Sequence, residues 1–105
     1  MAEKLYFHQL TDRDRIATSI VTGHAGTVDH YSLQLECRLT DSDEWTPVRR
    51  YDCSHDVVHT HVFSANSETQ RIVREGMLFK DGLQLAHAEL TLNWERYRQD
   101  YGEGT

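Results

Sequence analysis

The feature that most constrains the fold is an unbroken alternation in the first half of the chain. Tyr31, Leu33, Leu35, Cys37 and Leu39 alternate with His30, Ser32, Gln34, Glu36 and Arg38. Side chains of a strand leave opposite faces with a period of two. This run therefore demands a half-buried β-strand, one face on a core and the other toward water. Cys37 belongs to the inward set and reads as a buried structural thiol. A half-buried strand needs neighbours, and both flanks supply them. Residues 5–10 read as a first short strand. Residues 15–22 read as a second, carried by the β-branched Ile16, Thr18, Ile20, Val21 and Thr22. Gly23-His24-Ala25-Gly26 turns the chain between that strand and the alternating one. Residues 45–52, 57–64 and 69–74 follow as strands, the last also open to a helical reading. Pro47 cannot donate to a ladder, so it marks an edge or strand-start position. Polar turns at 40–44, 53–56 and 65–67 separate these runs. Short strands at this spacing predict an antiparallel meander of about five strands.

The period changes near the end. From Leu83, a step of 100° per residue places Ala86, His87, Leu90, Trp94, Tyr97 and Tyr101 all within about 60° of it. This predicts one long C-terminal helix, with Asp81 as its N-cap, packed across one face of the sheet. The fold class is therefore α+β. A second stripe of Leu85, Ala88 and Leu92 lies on the opposite side of the helix. It is a candidate contact for a partner protein or a second copy.

With 105 residues, the chain has the size of one domain spanning 1–105. An apolar share of 38% and a mean hydropathy of −0.67 suit a thin two-layer fold. Eleven basic against seventeen acidic residues leave a net charge of −6 with neutral histidines. That balance argues against RNA or DNA held by a broad basic face. Met1-Ala2-Glu3-Lys4 leads straight into the first strand without a signal peptide. No apolar stretch approaches the roughly 20 residues of a membrane span. Two cysteines are too few for a disulfide scaffold. The expectation is a cytoplasmic protein with reduced thiols and no membrane partner.

The chemistry concentrates in residues 50–61. Arg50, Tyr51, Asp52, Cys53, His55, Asp56, His59 and His61 fall within this one stretch. His59 and His61 are two apart on a strand, so both leave one face about 6.5–7 Å apart. Arg50 and Asp52 share a face of the preceding strand. A short turn joins these arms as a hairpin and brings Asp52 near His59, with His55 at the turn. Val57 and Phe63 share the parity of the histidines, while Val58 and Val62 occupy the other. Both faces of that strand are thus half apolar, and the pattern leaves open which face carries the histidines.

Three chemistries fit this hairpin. His55, His59 and His61 are candidate ligands for zinc, nickel or another divalent transition metal, with Asp52 as an alternative third ligand. The His-x-His spacing is similar to the start of a cupin motif. The cupin glutamate follows within a few residues, however, whereas Glu68 comes seven after His61, and a cupin jelly roll has no long C-terminal helix. In a metal-independent, ribonuclease-like phosphoryl transfer, Arg50, Asp52, His55 and His59 are the candidate catalytic groups. The histidines would act as general acid and base, Asp52 would orient one of them, and Arg50 would meet developing negative charge. Arg49, Tyr51 and His61 are the candidate binding residues. The third chemistry is nucleophilic attack by Cys53 beside a histidine, and no oxyanion-hole glycines accompany it.

The runs Gln34-Leu35-Glu36, Trp45-x-Pro47-Val48-x-Arg50-Tyr51-Asp52-x-x-His55-x-x-x-His59 and Asn93-Trp94-Glu95-x-Tyr97-Arg98 resemble an uncharacterised family of small prokaryotic proteins, a domain of unknown function. The Arg-Tyr-Asp…His…His core also resembles, more distantly, toxins of the TumE type. Those toxins pair with a helix-turn-helix antitoxin. The resemblance implies an intracellular, toxin-type effector with a partner; beside it stands a binding or structural module whose His-Asp hairpin is only a packed polar network. The partner would be an antitoxin-like protein or a second copy, docking on Leu85, Ala88 and Leu92.

Overall fold

The computed structural model describes residues 2–39, 44–53, 56–64 and 67–103. Six antiparallel strands form one sheet, and their order in the sheet is their order in the chain. They are β1 (Ala2–Thr11), β2 (Asp14–Thr22), β3 (Val28–Cys37), β4 (Thr46–Asp52), β5 (Val58–Ser64) and β6 (Ser67–Arg74). A helix, α1 (Phe79–Glu103), follows and packs chiefly on β3, β4 and β5.

The alternating run is the centre of this arrangement. Tyr31, Leu33, Leu35 and Cys37 are buried together with Ala86, Leu90, Tyr97 and Tyr101 of the helix. Each fully buried leucine of this set contributes about 1.5–3 kcal/mol through removal from water. Gly82, in the first turn of α1, lets the helix approach closely. A Cβ there would collide with the Tyr31 hydroxyl and lie 2.9 Å from a Val58 methyl. At the other end, the buried Asp14 pairs with Arg98 of the helix at 3.1 Å and accepts a hydrogen bond from Thr11 at 2.6 Å. This pair ties the β1–β2 turn to the last turns of α1.

Some details differ from expectation. Among the described residues there are six strands, close to the five or so expected, and the run at 69–74 is the strand it was read as, extended to Ser67–Arg74. The uncertainty lay with the outermost strands. β1 buries none of its residues, and only Leu10 is even partly covered, so the burial that makes a pattern legible is missing there. The helix begins at Phe79, so Asp81 sits in its first turn and is not the N-cap. Phe79 packs against the core, and the carbonyl of Leu78 accepts from the amides of Asp81 and Gly82 at 3.1 and 2.9 Å. Asp81 there still favours the positive end of the helix dipole. His87, grouped by its angle with the buried stripe, is exposed. Pro47 stands at the beginning of an interior strand, beside a bulge that separates the Leu35 and Glu36 pairings. Pairing with β5 begins only at Arg49, so the missing N–H of Pro47 falls outside that ladder.

Candidate metal centre on the open face

Parity across the ladders decides which face carries each candidate. Tyr51 pairs with Leu33 on one side and with Thr60 on the other, and all three are buried on the helix side. Asp52 pairs with His59, and Arg50 with His61. These four therefore project from the opposite face, which the helix leaves open. The mixed apolar pattern of β5 is explained in the same way. Val58 lies under Gly82 of the helix, and Val62 shares a cleft with Tyr97 and Tyr101.

On the open face, Asp52, His59 and His61 converge. One ligand atom from each lies within 4.8 Å of the others, and all three residues are buried. His59 Nε2 is 2.6 Å from Asp52 Oδ1, and His61 Nε2 is 3.5 Å from Asp52 Oδ2. The imidazoles meet edge to face at 4.7 Å between centroids, and Phe63 stacks on His61 at 6.3 Å.

The outer nitrogens fix the chemistry of the inner ones. His59 Nδ1 is 2.8 Å from the carbonyl of Val57. A carbonyl only accepts, so Nδ1 carries the hydrogen and donates it. His61 Nδ1 is 2.6 Å from Glu68 Oε1. Arg71 and then His61 hold the Glu68 carboxyl below its ordinary pKa, so this oxygen also accepts, and Nδ1 of His61 donates. In the neutral form both rings therefore direct an Nε2 lone pair toward a carboxylate. That is the arrangement in which metal-binding histidines are held by partners behind them.

Glu68 is the participant that sequence reasoning missed. Its place in the sequence suggests only a comparison with the cupin glutamate. The signal was the register of the β5–β6 hairpin. A bulge separates the Val62 and Phe63 pairings, and Phe63 then faces Glu68. Glu68 thereby reaches the face that carries His61.

Arg50 flanks the group, its Nε 3.4 Å from Asp52 Oδ2 and its guanidinium 5.5 Å from the Phe63 ring centroid. Arg49 and Tyr51 stand apart, on the helix side. Arg49 Nε donates to the Tyr51 hydroxyl at 2.8 Å, which donates to Glu89 of α1 at 2.6 Å. The Arg49 guanidinium also covers the Tyr97 ring at 4.0 Å. These two residues brace the helix and do not join the histidines. His55 lies outside the described residues. Cys53 is buried, its thiol pKa raised chiefly by burial, and it receives the amide of Tyr31 at 3.3 Å. That environment opposes the thiolate a nucleophile needs. Leu85 is half-buried, and Ala88 and Leu92 are exposed on the flank of α1.

A meander of this form, with one helix behind it and an Asp-His-His group in front, defines a small two-layer α+β domain. The chain belongs to the family described as domain of unknown function DUF7718, whose model matches residues 1–105. Neither the curated proteins nor the solved structures returned a match. Among the described residues, no helix is long and apolar enough to cross a membrane.

Proposed function

We propose that this chain binds a divalent transition metal through Asp52 Oδ, His59 Nε2 and His61 Nε2. One observation carries the reading. His59, donating through Nδ1 to Val57, turns its Nε2 acceptor onto an Asp52 oxygen 2.6 Å away. Two acceptors at that distance in a buried site repel each other unless a cation, either a proton or a metal ion, lies between them. Around a tetrahedral ion with bonds of about 2.0–2.1 Å, ligand atoms stand about 3.3 Å apart. The observed 2.6 and 3.5 Å, to the two Asp52 oxygens, bracket that spacing, and the whole group lies within 4.8 Å, so closing on an ion takes side-chain shifts of about 1.5 Å or less. Two imidazoles and one carboxylate suit zinc, iron, nickel or copper, and leave further coordination positions.

The same contacts weigh against acid–base work on RNA. Each histidine already engages Nδ1 with a partner and turns Nε2 to Asp52, which leaves no ring nitrogen directed at a substrate proton.

The test is a cobalt titration of chelator-stripped protein, followed by zinc competition. The expected result is visible cobalt absorption that saturates at one equivalent and is displaced by zinc. His59→Ala is expected to abolish it while the circular dichroism stays native. A stripped protein that takes up none of cobalt, zinc, nickel, copper or ferrous iron would overturn the reading.

A further inference from the structure

We propose that the open face binds a monocarboxylate with an apolar chain, its carboxylate beside Arg50 and the ion; this rests on the metal reading above. The ladder registers supply the frame. Phe7, Ala17, Gln34, Arg50 and His61 form one row across five strands. Leu5, Ser19, Ser32, Asp52 and His59 form the next. Both rows begin with a large apolar side chain on β1 and end at the Asp-His-His group. Between those ends Ala17, Ser19 and Ser32 are small, so the middle of the face is low. A groove runs there, lined by Leu5, Phe7, Ser19, Ser32, Gln34 and Arg50 among others.

The groove discriminates by charge and by polarity along its length. Among the described residues, Arg50 is the only charged one in its lining. Its Nε is out of solvent and makes no hydrogen bond among the described residues; it approaches Asp52 at 3.4 Å, and its guanidinium lies 5.5 Å from the Phe63 ring centroid. An ion bound to Asp52 competes for that oxygen and releases the guanidinium, which then matches a carboxylate through paired donors. At the far end, Leu5 and Phe7 are 74% and 56% exposed, an apolar surface largely open to solvent. Phe7 is held in place: the Arg15 guanidinium lies 4.1 Å from its centroid, and Arg15 is itself fixed by Glu36 at 2.7 Å. Three strand spacings of ~4.8 Å separate β4 from β1, so the occupant spans about 14 Å. An anionic head with an extended apolar body fits that distance and that charge.

Octanoate is the probe, titrated calorimetrically into the zinc-loaded chain, with octanol, octylamine and acetate as controls. Octanoate is expected to saturate at one equivalent and to bind about ten-fold or more tightly than each control. Phe7→Ser and, separately, Leu5→Ser are expected to weaken octanoate and leave acetate and the cobalt spectrum unchanged. Arg50→Gln is expected to weaken octanoate and acetate alike. Equal binding of octanol, equal binding with and without metal, or indifference to both β1 substitutions would overturn the proposal. Self-association that Phe7→Ser abolishes and octanoate leaves intact would also overturn it, by assigning the apolar end to a second copy. Loss of cobalt binding itself defeats the metal reading, whereas cobalt binding without octanoate binding defeats the groove alone.

Discussion

The stretch from Arg49 to Asp52 feeds two polar clusters on opposite sides of one sheet. Behind it, Arg49 donates to Tyr51, and Tyr51 donates to Glu89. Every contact in that series has a hydrogen to share. In front, His59 and His61 turn acceptors toward Asp52. Burial and composition are similar on the two sides, so neither separates a brace from a site. The supply of hydrogens does. A cluster complete in its own donors serves packing, whereas one that turns two imidazole acceptors toward a carboxylate is, on the reading proposed above, suited to a cation.

The largest expected effect removes the packing side. Leu90→Ala empties a fully buried position and should cost about 2–5 kcal/mol, read from denaturant midpoints. The Tyr51–Glu89 cluster reaches the helix directly while the Asp-His-His group lies on the other face, so metal uptake should weaken only as far as the fold does.

Asp52→Asn separates the two sides. The carboxamide can donate to His59, which resolves the conflict without an ion. Zinc uptake should disappear, and the metal-free melting temperature should stay the same or rise. The wild-type chain should gain about 2.7 kcal/mol at zinc a hundred-fold above Kd, a gain the variant lacks. A variant that melts well below the stripped wild type would show Asp52 to be part of a brace instead.

Tyr51→Phe is the reciprocal change. It removes the hydroxyl between Arg49 and Glu89 and should cost about 1–2 kcal/mol, with cobalt binding unaltered. Altered cobalt affinity in this variant would mean that the two faces are coupled through β4.

A pH titration sharpens the contrast further. Burial raises the ionisation of Cys37, Cys53, Tyr31 and Tyr51 above their ordinary values. The folded chain therefore keeps protons that the unfolded chain releases. The associated stability is complete below the unfolded values and is lost as pH rises through them toward the folded ones. Denaturant midpoints should be insensitive to these four groups below about pH 8.5 and should fall above it. A midpoint that stays flat to pH 10.5 would contradict the closed packing around them.

The smallest effect belongs to the outer helix stripe. Leu92 is 80% exposed, and Leu92→Asp should change monomer stability by less than about 0.5 kcal/mol. Size-exclusion of the variant against the wild type tests whether this stripe holds a second copy. An unchanged elution volume removes it as a self-association surface.

The elements most legible in the sequence were those with one wet and one dry face. The 31–39 alternation and the stripe from Leu83 to Tyr101 each carry their period because burial imposes it. β1 escapes full description because both of its faces are exposed. The hairpin was legible from spacing alone, since residues two apart on a strand must share a face and Asp52 follows from the turn. The face it occupies was not legible, because valines lie on both sides of β5. Glu68 was hidden by a bulge, and a one-residue slip moves a side chain to the other face without leaving a mark in composition. Arg49 and Tyr51 were grouped with the site by proximity in sequence, and parity separates them.

The identity between strand order and chain order bears on how this protein reaches its fold. Each strand pairs with the one made just before it, so every ladder closes over a short loop at small entropic cost. Long-range closure is left to the helix, which must return to β3. Topologies dominated by local contacts fold quickly. This sheet can therefore grow as a series of hairpins, and the β4–β5 hairpin can bring Asp52 beside His59 before the last element docks. Assembly of the Asp52–His59 pair is then separable in time from formation of the core.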